Sequence, residues 1–157
     1  SEANLKGDEV VYDLYCGTGT IGIYVSEKAK KVYGFEIISS AIEDAKINAS
    51  ENNIRNTSFL KGDVKNLLKQ ISTNEIEKPD ISIVDPPRAG LHPEALKNII
   101  NLKQRKIIYI SCNPSTQARD LRVIVENNYR IEKIQPIDMF PHTPHIESVV
   151  TLVNESC

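Results

Sequence analysis

The sequence lacks tryptophan, has one methionine and contains only 6 % aromatic residues among its 157 positions. No apolar run approaches the roughly 20 residues that cross a bilayer. No basic segment followed by an apolar one indicates a signal peptide. We therefore expect no membrane contact and a cytoplasmic location. Because the sequence begins with Ser1 and not with methionine, we expect a processed or truncated chain, and upstream targeting is left open.

Cysteine is scarce: Cys16, Cys112 and Cys157 lie far apart. Their spacing matches no metal-ligand pattern, and three thiols cannot all pair with one another. The cysteines therefore indicate a reducing compartment and no metal in this domain. We expect Cys16 to pack within a glycine-rich loop and Cys157 to be a tail thiol.

A basic excess is missing as well. The chain has 19 Lys and Arg against 21 Asp and Glu, a net charge of −2. A dedicated nucleic-acid binder usually carries a clear positive excess, because phosphate contacts dominate its affinity. If the substrate is RNA, much of the phosphate contact should come from elsewhere.

The remaining composition is that of a globular protein, with 40 % hydrophobic and 25 % charged residues, and its length suits one domain over residues 1–157. Strand-like apolar runs alternate with helical patterns, which predicts an α/β fold with mostly parallel strands. The predicted strands are 10–15, 31–36, 57–61, 80–84, 106–111, 130–138 and 147–153. The predicted helices are 20–29, 39–53, 93–102 and 114–127, with a short helix after Asp63.

The last two predicted strands are joined by a loop, 139–146, that is too short for a helix. We therefore expect a Rossmann-like, seven-stranded sheet whose C-terminal hairpin is antiparallel and lies at one edge. A capping box of Ser40 and Glu43 is expected to start the second helix. Ligands of such sheets bind at the carboxyl ends of the strands, so the residues at those ends are the candidates for a site.

A glycine-rich turn follows the first predicted strand, with Gly17 and Gly19 in the pattern G-x-G-x-x-G. Glycine lets the backbone turn tightly and approach a ligand closely. Glu36 ends the second strand, where a carboxylate can accept both hydroxyls of a ribose. The combination favours a nucleoside-cofactor site over a purely structural turn.

Two cofactors compete for this loop, NAD and S-adenosylmethionine. NAD needs a helix N-terminus that faces its pyrophosphate, and a carboxylate fits poorly there. Asp13 can instead accept from the ammonium group of S-adenosylmethionine or from the amides of the loop itself. Asp63, after the third strand, can accept from the adenine amino group, or it caps a helix. These acidic residues favour S-adenosylmethionine.

The segment Asp85-Pro86-Pro87-Arg88 ends the fourth predicted strand, beside the expected methyl donor. Amino-group methyltransferases carry a similar Asp/Asn-Pro-Pro, followed by an aromatic ring that stacks on the target base. Arg88 in place of that ring indicates a different methyl acceptor. The alternative is a rigid turn with a surface arginine.

Cys112 lies at the end of the fifth predicted strand. A lone cysteine is more often a packed residue than a nucleophile. However, Pro114 predicts that a helix begins just after Cys112, and the positive end of a helix favours a thiolate. Arg119 and Arg122 follow within two turns.

Glu147 begins the last predicted strand and follows His145. It is a candidate general base near Cys112, or it protects an edge strand from pairing. His142 and His145 cap or pack in the loop, or they supply the base.

Four stretches together resemble the RNA uracil-5-methyltransferase family, which modifies uridine in transfer RNA and large-subunit ribosomal RNA. They are DLYCGTGT at 13–20, DPPRAG at 85–90, SCNP at 111–114 and PHIES at 144–148. The first is shared by many methyltransferases, whereas the last three in combination are specific. The resemblance implies Cys112 as the nucleophile and Glu147 as the base. It also implies Asp85 and Arg88 as target-site residues, with Tyr15 and Asp85 in the cofactor site.

The implied reaction transfers a methyl group from S-adenosylmethionine to C5 of a uridine in rRNA or tRNA. A thiolate adds to C6, which makes C5 nucleophilic, and a base later removes the C5 proton. Family members are longer, with upstream RNA-binding segments, often an OB-like domain, an upstream glutamine that reaches the cofactor and in some an iron–sulfur cluster. None of these is found in the 157 residues, so we expect the catalytic domain alone. Two alternatives stay open: an amino-group methyltransferase, and a cofactor-binding module without catalysis.

Overall fold

The structure, a computed structural model, describes residues 3–66, 71, 76–138 and 146–156. Seven strands form one sheet in the order β3-β2-β1-β4-β5-β7-β6. The strands are β1 (Val10–Leu14), β2 (Lys31–Glu36), β3 (Thr57–Lys61), β4 (Ile81–Val84), β5 (Lys106–Ser111), β6 (Tyr129–Ile137) and β7 (Glu147–Asn154). The helices are α1 (Thr20–Ser26), α2 (Ser39–Glu51), α3 (Pro93–Asn101) and α4 (Pro114–Val125).

The strand directions confirm the predicted fold class. Strands β1 to β5 pair in parallel, and β7 lies between β5 and β6 and runs antiparallel to both. The predicted ends of these elements lie within about three residues of the observed ones, a normal uncertainty for helix and strand boundaries. Of the helix expected after Asp63, a first turn at 64–66 is described. The loop predicted at 139–146 falls almost wholly outside the described residues.

Helices cover both faces of the sheet, which is why its central strands are apolar on both sides. All five residues of β1 are buried. On one face, Leu96 and Ile99 of α3 and Ile124 of α4 pack against the strands. On the other face, Val25 of α1 packs against Val32 and its neighbours. Among the described residues, no helix is long and apolar enough to cross a membrane.

The capping box predicted at Ser40 and Glu43 is wrong. The N-cap of α2 is Ile38, two residues before Ser40, and its side chain bonds no free amide. The carboxylate of Glu36 takes that role, because its Oε1 accepts from the amides of Ile37 (2.7 Å) and Ile38 (3.0 Å). Glu43 instead pairs with Lys46 on the helix surface, at 2.9 Å.

Candidate active site

The glycine-rich loop joins β1 to α1 at the edge of the sheet where the parallel strands end. Tyr15, Gly17 and Gly19 all have positive φ, at 64°, 52° and 80°. A Cβ at Gly19 would lie 2.8 Å from the ring of Phe59, whereas a Cβ at Gly17 would meet nothing within 4 Å. The loop is therefore packed against β3 on one side and open at Gly17, where a ligand can approach the backbone.

Asp13 lies beneath this loop and is fully buried. Its Oδ2 accepts from the Gly22 amide at 2.8 Å, and its Oδ1 has no partner among the described residues. Burial raises the pKa of Asp13 to about 7, against the lowering effect of the Gly22 bond and with a further rise from the charge of Asp85. Of the two partners left open by the sequence, the structure shows the loop amide. A contact with a cofactor ammonium stays a prediction.

Glu36 ends β2 beside the glycine loop and is 9 % exposed. Its Oε2 accepts from the Gly17 amide at 3.1 Å, in addition to the amides of Ile37 and Ile38 on Oε1. A carboxylate offers about four acceptor positions, and backbone amides use three of them here. Glu36 therefore ties the loop to the segment that leads into α2 and has one acceptor position left. Its contact with the ribose hydroxyls stays a prediction.

Asp63 follows β3 and caps the turn that comes next. Its Oδ1 accepts from the Lys65 amide at 3.0 Å, and its Oδ2 lies 3.5 Å from Lys65 Nζ. Helix capping, one of the two roles considered for Asp63, is thus observed. Its contact with adenine stays a prediction.

The end of β4 is tied directly to the end of β1. The amide of Asp85 donates to the Leu14 carbonyl at 3.2 Å, so Asp85 lies next to the start of the glycine loop. Partial desolvation raises the pKa of the Asp85 carboxyl, although the residue keeps an exposed surface, and the negative charge of Glu147 raises that pKa further. Glu147, the first residue of β7, is therefore close enough to Asp85 for the two charges to interact.

The pairing of β5 with β7 brings Cys112 and Glu147 together. Ser111 is opposite Ser148 in this antiparallel pair, and Cys112 and Glu147 are the next residues beyond that pair. The buried Gln117 of α4 bridges the two strands: its Nε2 donates to the carbonyls of Tyr109 (3.0 Å) and Ser148 (3.2 Å). The candidate nucleophile and base therefore lie on adjacent strands held at a fixed register.

Helix α4 begins directly after Cys112, as predicted. Asn113 is its N-cap, and the Asn113 side chain accepts from the Ser115 amide at 3.1 Å. The two arginines that follow Cys112 form ion pairs with carboxylates of α4 and of the residue after it. Arg119 pairs with Asp120 at 2.8 Å, and Arg122 pairs with Glu126 at 3.1 Å, so each guanidinium is engaged elsewhere.

Two residues of α4 were missed by the sequence reasoning, Gln117 and Asp120. Both are buried polar residues, at 3 % and 1 % exposure, on the same face as Leu121 and Ile124. The signal was in the spacing: positions 117, 120, 121 and 124 form one helical face. Polar residues on an otherwise apolar face need partners, and here these partners belong to the site.

The described part of the chain contains no group of three or more His, Cys, Asp or Glu arranged to hold a metal ion. His142 and His145 lie outside the described residues, as does Cys157. The arrangement thus offers, at a single edge of the sheet, an open glycine loop, one half-buried thiol and five carboxylates, those of Asp13, Glu36, Asp63, Asp85 and Glu147.

This fold, with the glycine loop after β1 and an acidic residue at the end of β2, is that of the class I methyltransferases. The chain belongs to the tRNA (uracil-5-)-methyltransferase family, whose model matches residues 2–155.

Relatives and solved structures agree with this family. An uncharacterized RNA methyltransferase of Bacteroides thetaiotaomicron is 50 % identical over 150 residues, which cover 96 % of this chain and 33 % of the relative. One from Clostridium tetani is 51 % identical over 144 residues, covering 92 % and 31 %. The chain therefore spans about a third of the length of these relatives. The crystal structure of Pyrococcus abyssi tRNA (uracil-54, C5)-methyltransferase in complex with S-adenosyl-L-homocysteine has a TM-score of 0.81 and 39 % identity, over 97 % of this chain and 36 % of that one.

Thiol reactivity is expected to separate Cys112 from Cys16. Burial, with smaller contributions from Asp13 and Glu36, raises the pKa of Cys16 to about 12. Little of Cys16 is therefore thiolate near neutral pH, and iodoacetamide should modify the half-buried Cys112 more than about tenfold faster. Mass spectrometry of the peptides assigns the sites, and a Cys112→Ala variant identifies the fast phase. Faster modification of Cys16 than of Cys112 would contradict Cys112 as the available thiol.

Proposed function

We propose that this protein transfers a methyl group from S-adenosylmethionine to C5 of a uridine in rRNA or tRNA, through a covalent adduct of Cys112 with C6. The observation that carries the proposal is the β5–β7 register, which puts Cys112 beside Glu147 at the edge that holds the glycine loop. Membership of the family supports the same reaction. We also propose that the protein acts in the cytoplasm and has no contact with a membrane.

The residues at this edge fit S-adenosylmethionine, which when bound supplies an electrophilic methyl group. The open backbone at Gly17, the buried Asp13 oxygen without a partner and the remaining acceptor position of Glu36 are the features that fit it. The proposed cofactor residues are Asp13, Tyr15, Gly17, Gly19, Glu36, Asp63 and Asp85.

The proposed chemistry needs one nucleophile and one base. The thiolate of Cys112 forms a bond to C6 of the uracil, and the electron pair of the C5–C6 double bond moves into an enolate. C5 thereby becomes nucleophilic enough to form a bond to the methyl carbon, while the bond from that carbon to the donor sulfur breaks and S-adenosylhomocysteine is the leaving group. Glu147 then takes the C5 proton, the double bond re-forms, and the Cys112 thiolate leaves by β-elimination. None of these steps needs an oxidant or a reductant.

Asp85 and Arg88 are proposed to contact the target uracil. Both follow β4, and the negative charge of Glu147 raises the pKa of Asp85, which indicates that the two carboxylates are close to each other. The uridine must leave any base stack to reach this edge. Since the net charge of the chain is −2, we propose that much of the contact with RNA phosphates comes from outside these 157 residues.

Cofactor binding is expected to depend on Glu36. A Glu36→Ala variant should bind S-adenosylhomocysteine about 1.5–3 kcal/mol more weakly, as expected for hydrogen bonds to a charged group. Calorimetry measures this binding, and thermal unfolding shows whether the loss of the loop contacts also lowers stability. The matched control is Glu43→Ala, which removes an exposed carboxylate that pairs only with Lys46 on the surface of α2. If Glu36→Ala and the wild type bind S-adenosylhomocysteine with equal affinity, Glu36 does not belong to the cofactor site.

The two catalytic roles are expected to separate in the natural full-length protein with a uridine-containing RNA. Cys112→Ala should abolish methylation and every covalent protein–RNA species, because no C6 bond can form. Glu147→Gln should still allow attack and methyl transfer but stall elimination, with turnover lowered on the order of 10²–10⁴-fold. A methylated adduct should then accumulate, seen as a denaturation-resistant gel shift that carries label from the methyl donor.

The matched control for the base is Glu155→Gln, an exposed glutamate just after β7, which should turn over normally. Normal turnover of Glu147→Gln would refute the base, and an adduct that survives in Cys112→Ala would refute the nucleophile. Methylation of an exocyclic amino group in place of C5 would favour the amino-group alternative. Binding of S-adenosylhomocysteine without any methylation would favour a module without catalysis.

A further inference from the structure

The loop of residues 85–91, which carries the proposed target contacts, is held by side chains from one face of α4. The carbonyl of Arg88 accepts from Asn113 Nδ2 at 3.1 Å and from Thr116 Oγ1 at 3.1 Å. The next carbonyl, that of Ala89, accepts from the Arg119 guanidinium at 3.0 Å. The backbone of the target loop is thus bonded to the helix that starts directly after Cys112.

Asp120 completes these contacts from inside the protein. Its Oδ2 accepts from the Leu91 amide at 2.8 Å and from the Tyr109 hydroxyl at 2.7 Å, and its Oδ1 accepts from Arg119 at 2.8 Å. The side chain of Asp120 is only 2 % exposed. A buried carboxylate is costly unless it is well bonded, and here its partners come from the loop, from β5 and from α4.

At Gly90 the backbone of the loop lies so close to Arg119 and Asp120 that a Cβ would not fit. Gly90 has a φ of +79°, and a Cβ there would lie 2.6 Å from Arg119 Nη2 and 2.7 Å from Asp120 Oδ2. The Ala89 carbonyl is bonded to Arg119 and the Leu91 amide is bonded to Asp120. These two hydrogen bonds lie on either side of Gly90 and hold the loop against α4. Such contact restricts where the backbone of the loop can lie.

Leu91 anchors one end of the loop in the hydrophobic core, but part of the loop borders open space. An open cavity of about 790 Å³ lies between α3 and α4 and reaches Ala89, Gly90 and Leu91. A loop that borders open space can shift unless directional bonds oppose the shift. Arg119 and Asp120 supply such bonds.

We propose that Arg119 and Asp120 are positioning residues that hold the 85–91 loop at a fixed distance from Cys112, so that Asp85 and Arg88 present the target uracil to the nucleophile. This role rests on the proposed function. A misplacement of about 1 Å at a reacting centre can cost about 10²-fold in rate, so the pair acts on turnover more than on binding.

The test compares Arg119→Ala and Asp120→Asn with the wild type in the natural full-length protein. Arg119→Ala is the safer variant for folding, because the Arg119 side chain is 57 % exposed. Its matched control is Arg122→Ala, which removes a positive charge from the same helix, one that pairs with Glu126. Arg119→Lys, which keeps the charge and one donor, serves as the conservative rescue.

Three quantities are measured for each variant: kcat and KM for methylation of the RNA, affinity for S-adenosylhomocysteine, and hydrogen exchange of the peptide that contains residues 88–92. We expect Arg119→Ala and Asp120→Asn to lower kcat at least about tenfold, with KM and cofactor affinity within about twofold of the wild type. The peptide should exchange faster in both. Arg119→Lys should recover part of kcat, and Arg122→Ala should match the wild type.

Wild-type kcat in Arg119→Ala would overturn the proposal, whether or not the loop exchanges faster. An equal loss in Arg122→Ala would also overturn it, because the effect would then be one of charge. If Asp120→Asn does not fold, Arg119→Ala and its rescue still decide the question. If the wild-type protein methylates no uridine, the proposed function fails and the role toward the uracil falls with it. The exchange rates would still report separately whether the pair holds the loop.

Discussion

The antiparallel pairing of β7 with β5 is the constraint on which the candidate site depends. Side chains alternate between the two faces of a strand, so a slip of one residue would move every side chain of β7 to the opposite face. The register that pairs Ser111 with Ser148 therefore decides that Glu147 lies beside Cys112. Gln117, which bonds carbonyls of both strands, secures this register from α4. The same helix reaches across to the 85–91 loop after β4, so one element links the candidate nucleophile and the candidate base to that loop.

Several carboxylates lie close together at this edge, and the pKa values of Asp13 and Asp85 are raised as a result of burial and of this proximity. Burial raises the pKa of Asp13 to about 7, with a further contribution from Asp85. The pKa of Asp85 is itself raised by burial and by Glu147. Such a set of carboxylates favours a ligand with positive charge, because a cation stabilises the ionised forms. S-adenosylmethionine carries both a sulfonium and an ammonium group, which fits the proposed site better than an anionic dinucleotide does.

The secondary structure could be predicted because the hydrophobic pattern agrees with the positions of residues, such as proline, that mark the ends of helices and strands. Pro93 and Pro114 correctly predict the starts of two helices. The apolar runs predict β2, β3 and β5 with the ends that the structure shows. The predicted capping box does not form: Glu36, three residues before α2, bonds the amides of Ile37 and Ile38 that lead into the helix. Local sequence alone does not show that a strand-end carboxylate will reach the next helix.

The side chains that could act at the site were predictable, but the contacts that position them were not. Cys112, Glu147 and Asp85 stood out because each lies at a strand end. Asp120 did not, because its partners Leu91 and Tyr109 are 29 and 11 residues away in the sequence. The sequence shows Arg119 within two turns of Cys112, whereas in the fold its guanidinium bonds Asp120 and the Ala89 carbonyl. Long-range polar contacts of this kind depend on the tertiary fold.

The measurement that tests the central claim most directly is the identification of the amino acid that bonds to RNA. An RNA in which 5-fluorouridine replaces the target uridine should trap the adduct, because a base cannot remove fluorine from C5 as it removes a proton. After digestion of protein and RNA, mass spectrometry should find one nucleotide attached to the peptide that contains Cys112, and only when S-adenosylmethionine is present should that nucleotide carry the added methyl group. Attachment to another residue, or methylation of uridine-containing RNA with no trapped adduct, would contradict the account.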